Sequence, residues 1–179
     1  MHVFWERGYE ASSISDLISA MGITSPSLYH AFRAKEQLFL EAVERYALSY
    51  GSISTRAVRE EPSARQAIER WLSEAANEFV QSNHPKGCMI VMSATNCAGA
   101  AQSVCDALQR RRADEAADVE DRIRNAIDAG ELPSDTDAGE LARFYATIYQ
   151  GMSIQAKDGA GHAALVATVR RAMRVWPVV

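Results

Sequence analysis

The sequence predicts an all-α chain whose N-terminal part is a helix-turn-helix. Three observations carry this. Apolar residues recur at helical spacing almost throughout, no alternating run is long enough for a convincing strand, and a glycine turn joins two short amphipathic segments within the first 32 residues. A length of 179 residues suits one domain, or a small module fused to a larger one.

The first elements are short. Ser13 followed by Asp16 resembles a capping box, with Asp in place of the usual Glu or Gln. Ile14, Leu17, Ile18 and Met21 make the inner face of a two-turn helix, and Gly22 ends it as a left-handed cap. Thr24 or Ser25 caps the next helix, with Pro26 in its first turn, where the missing N–H costs little. Leu28 and Phe32 point inward at i, i+4, leaving Ser25, Ser27, Tyr29 and His30 outward. Hydroxyls and free N–H groups at a helix start favour phosphate oxygens. Tyr29 can bond a phosphate or pack on a thymine methyl, and His30 can do either. On spacing alone, an ordinary helical hairpin with a polar face fits equally well.

The first four helices are expected to be short and the later ones long. Leu38, Phe39, Ala42, Val43, Tyr46, Ala47 and Tyr50 repeat the helical pattern. A soft boundary falls near 49–54, dividing a module at 1–50 from a region at 51–179. Ser63 caps a helix whose stripe runs through Ala64, Ala67, Ile68, Trp71, Leu72, Ala75, Ala76, Phe79 and Val80. Breaks at 83–87, 96–99, 130–135 and 157–161 complete about nine helices, the last two near 135–156 and 160–175.

Composition narrows the function classes. The net charge is −4, and no apolar run of membrane-spanning length occurs, so no membrane partner is expected. The start of the chain lacks the order of a signal peptide, and a cytoplasmic setting is the default. Cys88, Cys97 and Cys105 are odd in number and lack Cys-x-x-Cys spacing, which suggests neither a disulfide framework nor a zinc site. Four scattered histidines offer no metal-ligand pattern, and phosphate-loop, dinucleotide and nucleophile-elbow motifs are missing. No carboxylate stands in an apolar stretch that would raise its pKa, so neither an enzyme, a metal nor a cofactor is expected. Arg110-Arg111-Arg112 lies among acids on a long helix and suits a solvated, ion-paired face. Cys88, just after Gly87 at a helix start, is the one candidate for a thiol of lowered pKa.

Two runs resemble a known family. Phe4-Trp5-Glu6-Arg7-Gly8-Tyr9-Glu10-Ala11-Ser12-Ser13-Ile14 is similar to the end of helix 1 and the start of helix 2 in the TetR family of bacterial transcription regulators. The stretch from Met21 to Phe39, with Gly-Ile-Thr, Leu-Tyr-x-x-Phe and Lys-Glu-x-Leu in order, resembles that family's recognition helix and the start of its fourth. Gly87-Cys88-Met89-Ile90-Val91 resembles the start of the sixth helix in an AcrR-like subgroup. The family's first helix usually begins upstream of the position of Met1, so helix 1 here is expected to be short.

The resemblance implies a homodimer that binds a double-stranded DNA operator and responds to a small effector. Thr24, Ser25, Ser27, Tyr29 and His30 match the recognition-helix contact region. Lys35 matches a phosphate-contacting lysine, and Ser13 is a further phosphate candidate. Trp71, Phe79, Met89, Met92, Phe144, Tyr145, Tyr149 and Met152 are large, soft side chains that could surround an apolar or aromatic ligand, or simply form core. Asn96, Gln102 and Gln150 are the polar candidates beside them. The last two helices correspond to the family's dimer bundle. Ala142, Ala146 and Gly151 would allow close approach, and Leu165, Val169 and Met173 would form an apolar stripe there. The expected function is a ligand-released repressor. The alternative is a helical small-molecule-binding dimer that has lost DNA binding. Four basic against six acidic residues in 1–50 favour that alternative, because few phosphates would be neutralised.

Overall fold

The computed structural model describes residues 1–93 and 102–178, so Asn96 and Cys97 lie outside the described residues. Four helices build the N-terminal module: α1 (His2–Arg7), α2 (Ile14–Met21), α3 (Ser25–Phe32) and α4 (Lys35–Leu48). Then follow α5 (Tyr50–Thr55), α6 (Ala57–Glu60), α7 (Ala64–Glu78), α8 (Met89–Ser93), α9 (Gln102–Asp128), α10 (Ala138–Lys157) and α11 (His162–Ala172), with a closing 3₁₀ turn at Met173–Val175.

Among the described residues there are more helices than the nine expected, and α4 is not short. The extra pieces are α5 and α6, two brief helices at and just beyond the soft boundary. Ser49 takes a non-helical conformation (φ −113°, ψ −96°) and breaks the long apolar run that began in α4.

Local chemistry sets the ends. Ser13 and Asp16 form the full capping box, and Gly22 adopts the left-handed conformation at the end of α2. Thr24 caps α3, Ser63 caps α7 and Asp137 caps α10. α7 is the central helix and packs on α5, α6, α9, α10 and α11. Its stripe from Ala64 to Ala76 is buried as the periodicity predicts. Met21 departs from its expected inner position. It is exposed with Ile23 at the α2–α3 tip, because no other element covers the end of two such short helices.

Leu165, Val169 and Met173 are buried within the single chain, where α11 packs on α7 and α10. The large apolar side chains that α10 and α11 leave exposed are Phe144, Ile154 and Val166. Ala142 is buried, while Ala146 and Gly151 are half-buried. Cys88 is a free, buried thiol, whereas Cys105 is disulfide-bonded, contrary to the expectation from cysteine spacing. Among the described residues no helix is long and apolar enough to cross a membrane.

Candidate functional site

Two sites stand out, an outward face on α3 and a cavity partly open to solvent. On α3 the buried Leu28 anchors the helix, and Ser27, Tyr29 and His30 are exposed, Tyr29 by 46%. Ser25, the first helical residue, is half-buried. Several hydroxyls are already engaged. Thr24 Oγ1 accepts from the Ser27 N–H at 3.4 Å and lies 2.9 Å from Ser27 Oγ. Ser13 Oγ accepts from the Asp16 N–H at 3.0 Å and donates to Asp16 Oδ2 at 2.6 Å. Hydrogen bonds from Ser13, reinforced by Arg7 at 2.8 Å, hold the Asp16 carboxyl at about 2. Lys35 is half-buried, with Nζ 4.4 Å above the Tyr9 ring centroid and 3.5 Å from the Glu10 carbonyl oxygen. Thus Ser27, Tyr29 and His30 present the free surface, while Ser13 and Thr24 shape the helix starts.

The cavity has a volume of ≈320 Å³. Tyr46 and Ala47 of α4 line it with Ser52 and Thr55 of α5, Val58 and Arg59 of α6, and Cys88 and Ile90. Arg111, Asp114, Glu115 and Asp118 of α9 and Tyr149 of α10 complete the wall. Of the eight side chains expected around a ligand, Tyr149 lies on this wall. Trp71, Phe79, Met89, Tyr145 and Met152 are buried core, Met92 is half-buried, and Phe144 is exposed. Trp71 stacks on Tyr149 with ring centroids 4.9 Å apart and so backs the cavity from behind.

The interior is more polar than the sequence suggested. Glu115 is half-buried as a residue, but its Oε1 is shielded from solvent and has no hydrogen-bond partner. Burial pushes its carboxyl up to about 7, with the Trp71 indole N–H acting the other way and Asp118 adding to the rise. The Trp71 Nε1 also lacks a closed hydrogen bond. The expectation of no carboxylate with a burial-raised pKa is therefore corrected. Glu115 is flanked by Asp114, Ala116, Ala117 and Asp118, and its burial comes from distant helices. Burial likewise raises the Cys88 thiol, the reverse of a reactive thiolate. Of the Arg110–Arg112 run, Arg111 pairs with Glu44 across to α4, and the Nη1 of Arg112 is buried without a partner. The run is therefore not wholly a solvated face.

A short joint connects the cavity to α1. Cys88 forms part of the cavity wall, and its N–H donates to Ser153 Oγ at 2.8 Å. The preceding Gly87 accepts from the Trp5 indole N–H at 3.0 Å. Trp5 is buried, stacked on His84 at 4.5 Å and edge-on to Tyr46 at 4.8 Å. On the other side of α1, Lys157 of α10 pairs with Glu6 at 2.9 Å. Gly87 has φ +76°, and a Cβ there would lie 2.6 Å from the Ser153 main-chain oxygen. Gly87→Ala is expected to cost about 1–2 kcal/mol for the left-handed backbone, plus about 1–3 kcal/mol for overpacking. Because the obstructing oxygen is main chain, adding Ser153→Ala should recover little. Urea midpoints of the two variants measure this, and a wild-type midpoint for Gly87→Ala would show that the turn relaxes freely.

Known proteins share this build. The family model described as bacterial regulatory proteins, tetR family, matches residues 1–42, and that for the tetracyclin repressor-like C-terminal domain matches residues 61–173. The HTH-type transcriptional repressor ComR of Escherichia coli (strain K12) is 32% identical over 178 residues, covering 99% of this chain and 85% of ComR. The TetR family transcriptional regulator CifR, solved as a cysteine mutant with 26-base-pair operator DNA, superposes with a TM-score of 0.94 at 41% identity, covering 98% of this chain and 92% of the other. A TetR transcriptional regulator from Rhodococcus sp. RHA1 is 34% identical with a TM-score of 0.68, covering 100% and 96%. Two family domains matched in order, over a helical frame with a capped helix-turn-helix at one end, place this chain in the TetR family of bacterial transcription regulators.

Proposed function

We propose that this protein is a repressor that binds a palindromic operator as a homodimer and leaves it when a small effector occupies the α4–α10 cavity. The observation that carries this is the joint just described: one two-residue turn, Gly87-Cys88, forms part of the cavity wall and holds Trp5 of the N-terminal module. α3 would lie in the major groove, with Ser27, Tyr29 and His30 toward the DNA and Ser13, Thr24, Ser25 and Lys35 near the phosphates. Phe144, Ile154 and Val166, with Ala146 and Gly151 beside them, supply exposed apolar surface on α10 and α11 for a second copy. Two such modules must sit about 34–36 Å apart to reach successive major grooves. A ligand that fits better when the 87–88 turn has moved favours the wrong spacing, and DNA affinity falls.

Fluorescence anisotropy of the protein on DNA from its own promoter region, across a salt series, tests this. Binding that survives excess random DNA supports the repressor. Its absence with the dimer intact favours a ligand-binding protein without DNA activity. In the same assay Tyr29→Ala should weaken specific binding by about 1–3 kcal/mol, and an unchanged affinity would remove Tyr29 from the interface.

A further inference from the structure

We infer that the cavity takes a small organic ammonium ion, with Glu115 as the anchor for its charged head. This rests on the reading of the cavity as the effector site. The acceptor is already in place: Glu115 lines the cavity and its Oε1 closes no hydrogen bond among the described residues, the neighbouring Trp71 indole N–H included. A buried carboxyl oxygen left unpaired is unfavourable, and an N⁺–H donor restores both the hydrogen bond and the charge balance.

Among the described residues, the cations near the cavity are committed elsewhere except Arg112, whose Nη1 is buried without a hydrogen-bond partner. Arg59 is bound to Asp118 at 2.7 Å, Arg111 to Glu44, and Arg56 Nε to the Ser52 carbonyl at 3.3 Å. Arg112, three residues before Glu115 on α9, makes no ion pair with it, and on α7 Glu74 is held by Arg70 at 2.8 Å. The remaining groups facing Glu115 are neutral or negative. The Tyr46 and Tyr149 phenols and the Cys88 thiol are all held above their ordinary pKa, first by burial. Asp114 shares the wall, and Asp118 adds negative potential. The site therefore suits a cation better than an anion. The rings of Tyr46 and Tyr149 on the wall can receive the ligand's apolar body or the flank of its ammonium group. A volume of ≈320 Å³ is at the small end for ligand sites and suits an amine carrying a single ring.

Ammonium binding pairs with the ionised carboxylate. With Glu115 at about 7 in the empty protein, complex formation at neutral pH should release a proton. The ionised fraction rises about tenfold from pH 6 to pH 8, and affinity should follow it.

Calorimetric titration of the full chain with 2-phenylethylamine tests this, with the neutral isostere 2-phenylethanol as control. The expected result is amine binding about tenfold tighter at pH 8 than at pH 6, with proton release seen by changing the buffer. Glu115→Gln should lose at least tenfold in affinity and the pH dependence with it. Glu115→Asp, which keeps the charge, should retain part of both, and serves if the Gln variant does not fold. Equal binding of amine and alcohol, an unchanged Glu115→Gln, or no amine binding at millimolar concentration overturns the inference. Glu115-dependent binding without operator release leaves the anchor standing and removes the effector role. Operator binding with no amine binding does the reverse.

Discussion

Trp5→Ala is expected to be the most damaging single substitution in the N-terminal module. Truncating a buried tryptophan costs about 3–5 kcal/mol, and Trp5 is 1% exposed. The loss is compounded because the Gly87 carbonyl, which accepts the indole N–H at 3.0 Å, is left in a buried turn without its donor. An orphaned buried acceptor adds about 1–3 kcal/mol. Set against a typical total of about 5–15 kcal/mol, this is a large fraction. α1 has six residues and cannot hold itself as a helix, so its packing depends on side chains such as Trp5 and Phe4. Trp5→Phe is the milder change: it keeps an aromatic ring against Tyr46 and His84 while removing the N–H and part of the indole. Urea midpoints should fall in the order wild type, Trp5→Phe, Trp5→Ala. Under the proposed function, Trp5→Phe should also bind operator yet respond less to whatever occupies the cavity, because the link through Gly87 is cut. A Trp5→Ala protein with a wild-type midpoint would show that the indole is not the joint.

The same contact shows what the sequence could and could not reveal. Caps, glycine stops and helical stripes are written in residues three or four apart, and Ser13–Asp16, Gly22, Thr24 and the α7 stripe were all legible from them. The outward placement of Ser27, Tyr29 and His30 was legible for the same reason, whereas Ser25, expected outward too, is half-buried. The cavity was not. Tyr46, Cys88, Glu115 and Tyr149 come from four separate segments, and no spacing links them. Apolar bulk pointed instead to Trp71, Phe79, Tyr145 and Met152, which pack as core because large apolar side chains are what a core needs. Periodicity likewise tells that Leu165, Val169 and Met173 share a buried face, but not whether a second copy or the chain itself buries it. The chain itself does. Polar groups such as Glu115 carry no local mark of burial, since the helices that cover this one are distant in sequence.

Glu115 also makes a prediction about stability with a definite sign. Its carboxyl sits at about 7 in the folded chain, above its ordinary value of 4.5, mainly because burial disfavours the charge. The folded state therefore binds more protons than the unfolded state between these two values. Stability must then fall as pH rises through that window, and the loss is complete above about 7. At about 1.4 kcal/mol per unit the penalty approaches about 3 kcal/mol. Glu115→Gln removes the ionisation while keeping the size and one acceptor oxygen. The difference in unfolding free energy between variant and wild type should hence shift in the variant's favour by about 3 kcal/mol from pH 4 to pH 8. Contributions from Asp16 and other groups that do not interact with Glu115 cancel in that difference. Urea unfolding of both proteins across the range measures it. A difference that stays flat with pH would mean that the carboxylate is hydrated through the cavity mouth. A bound ammonium ion should abolish the wild-type penalty, so the same titration repeated with 2-phenylethylamine should bring the wild-type curve up toward the variant's above pH 7, and leave the variant's where it was.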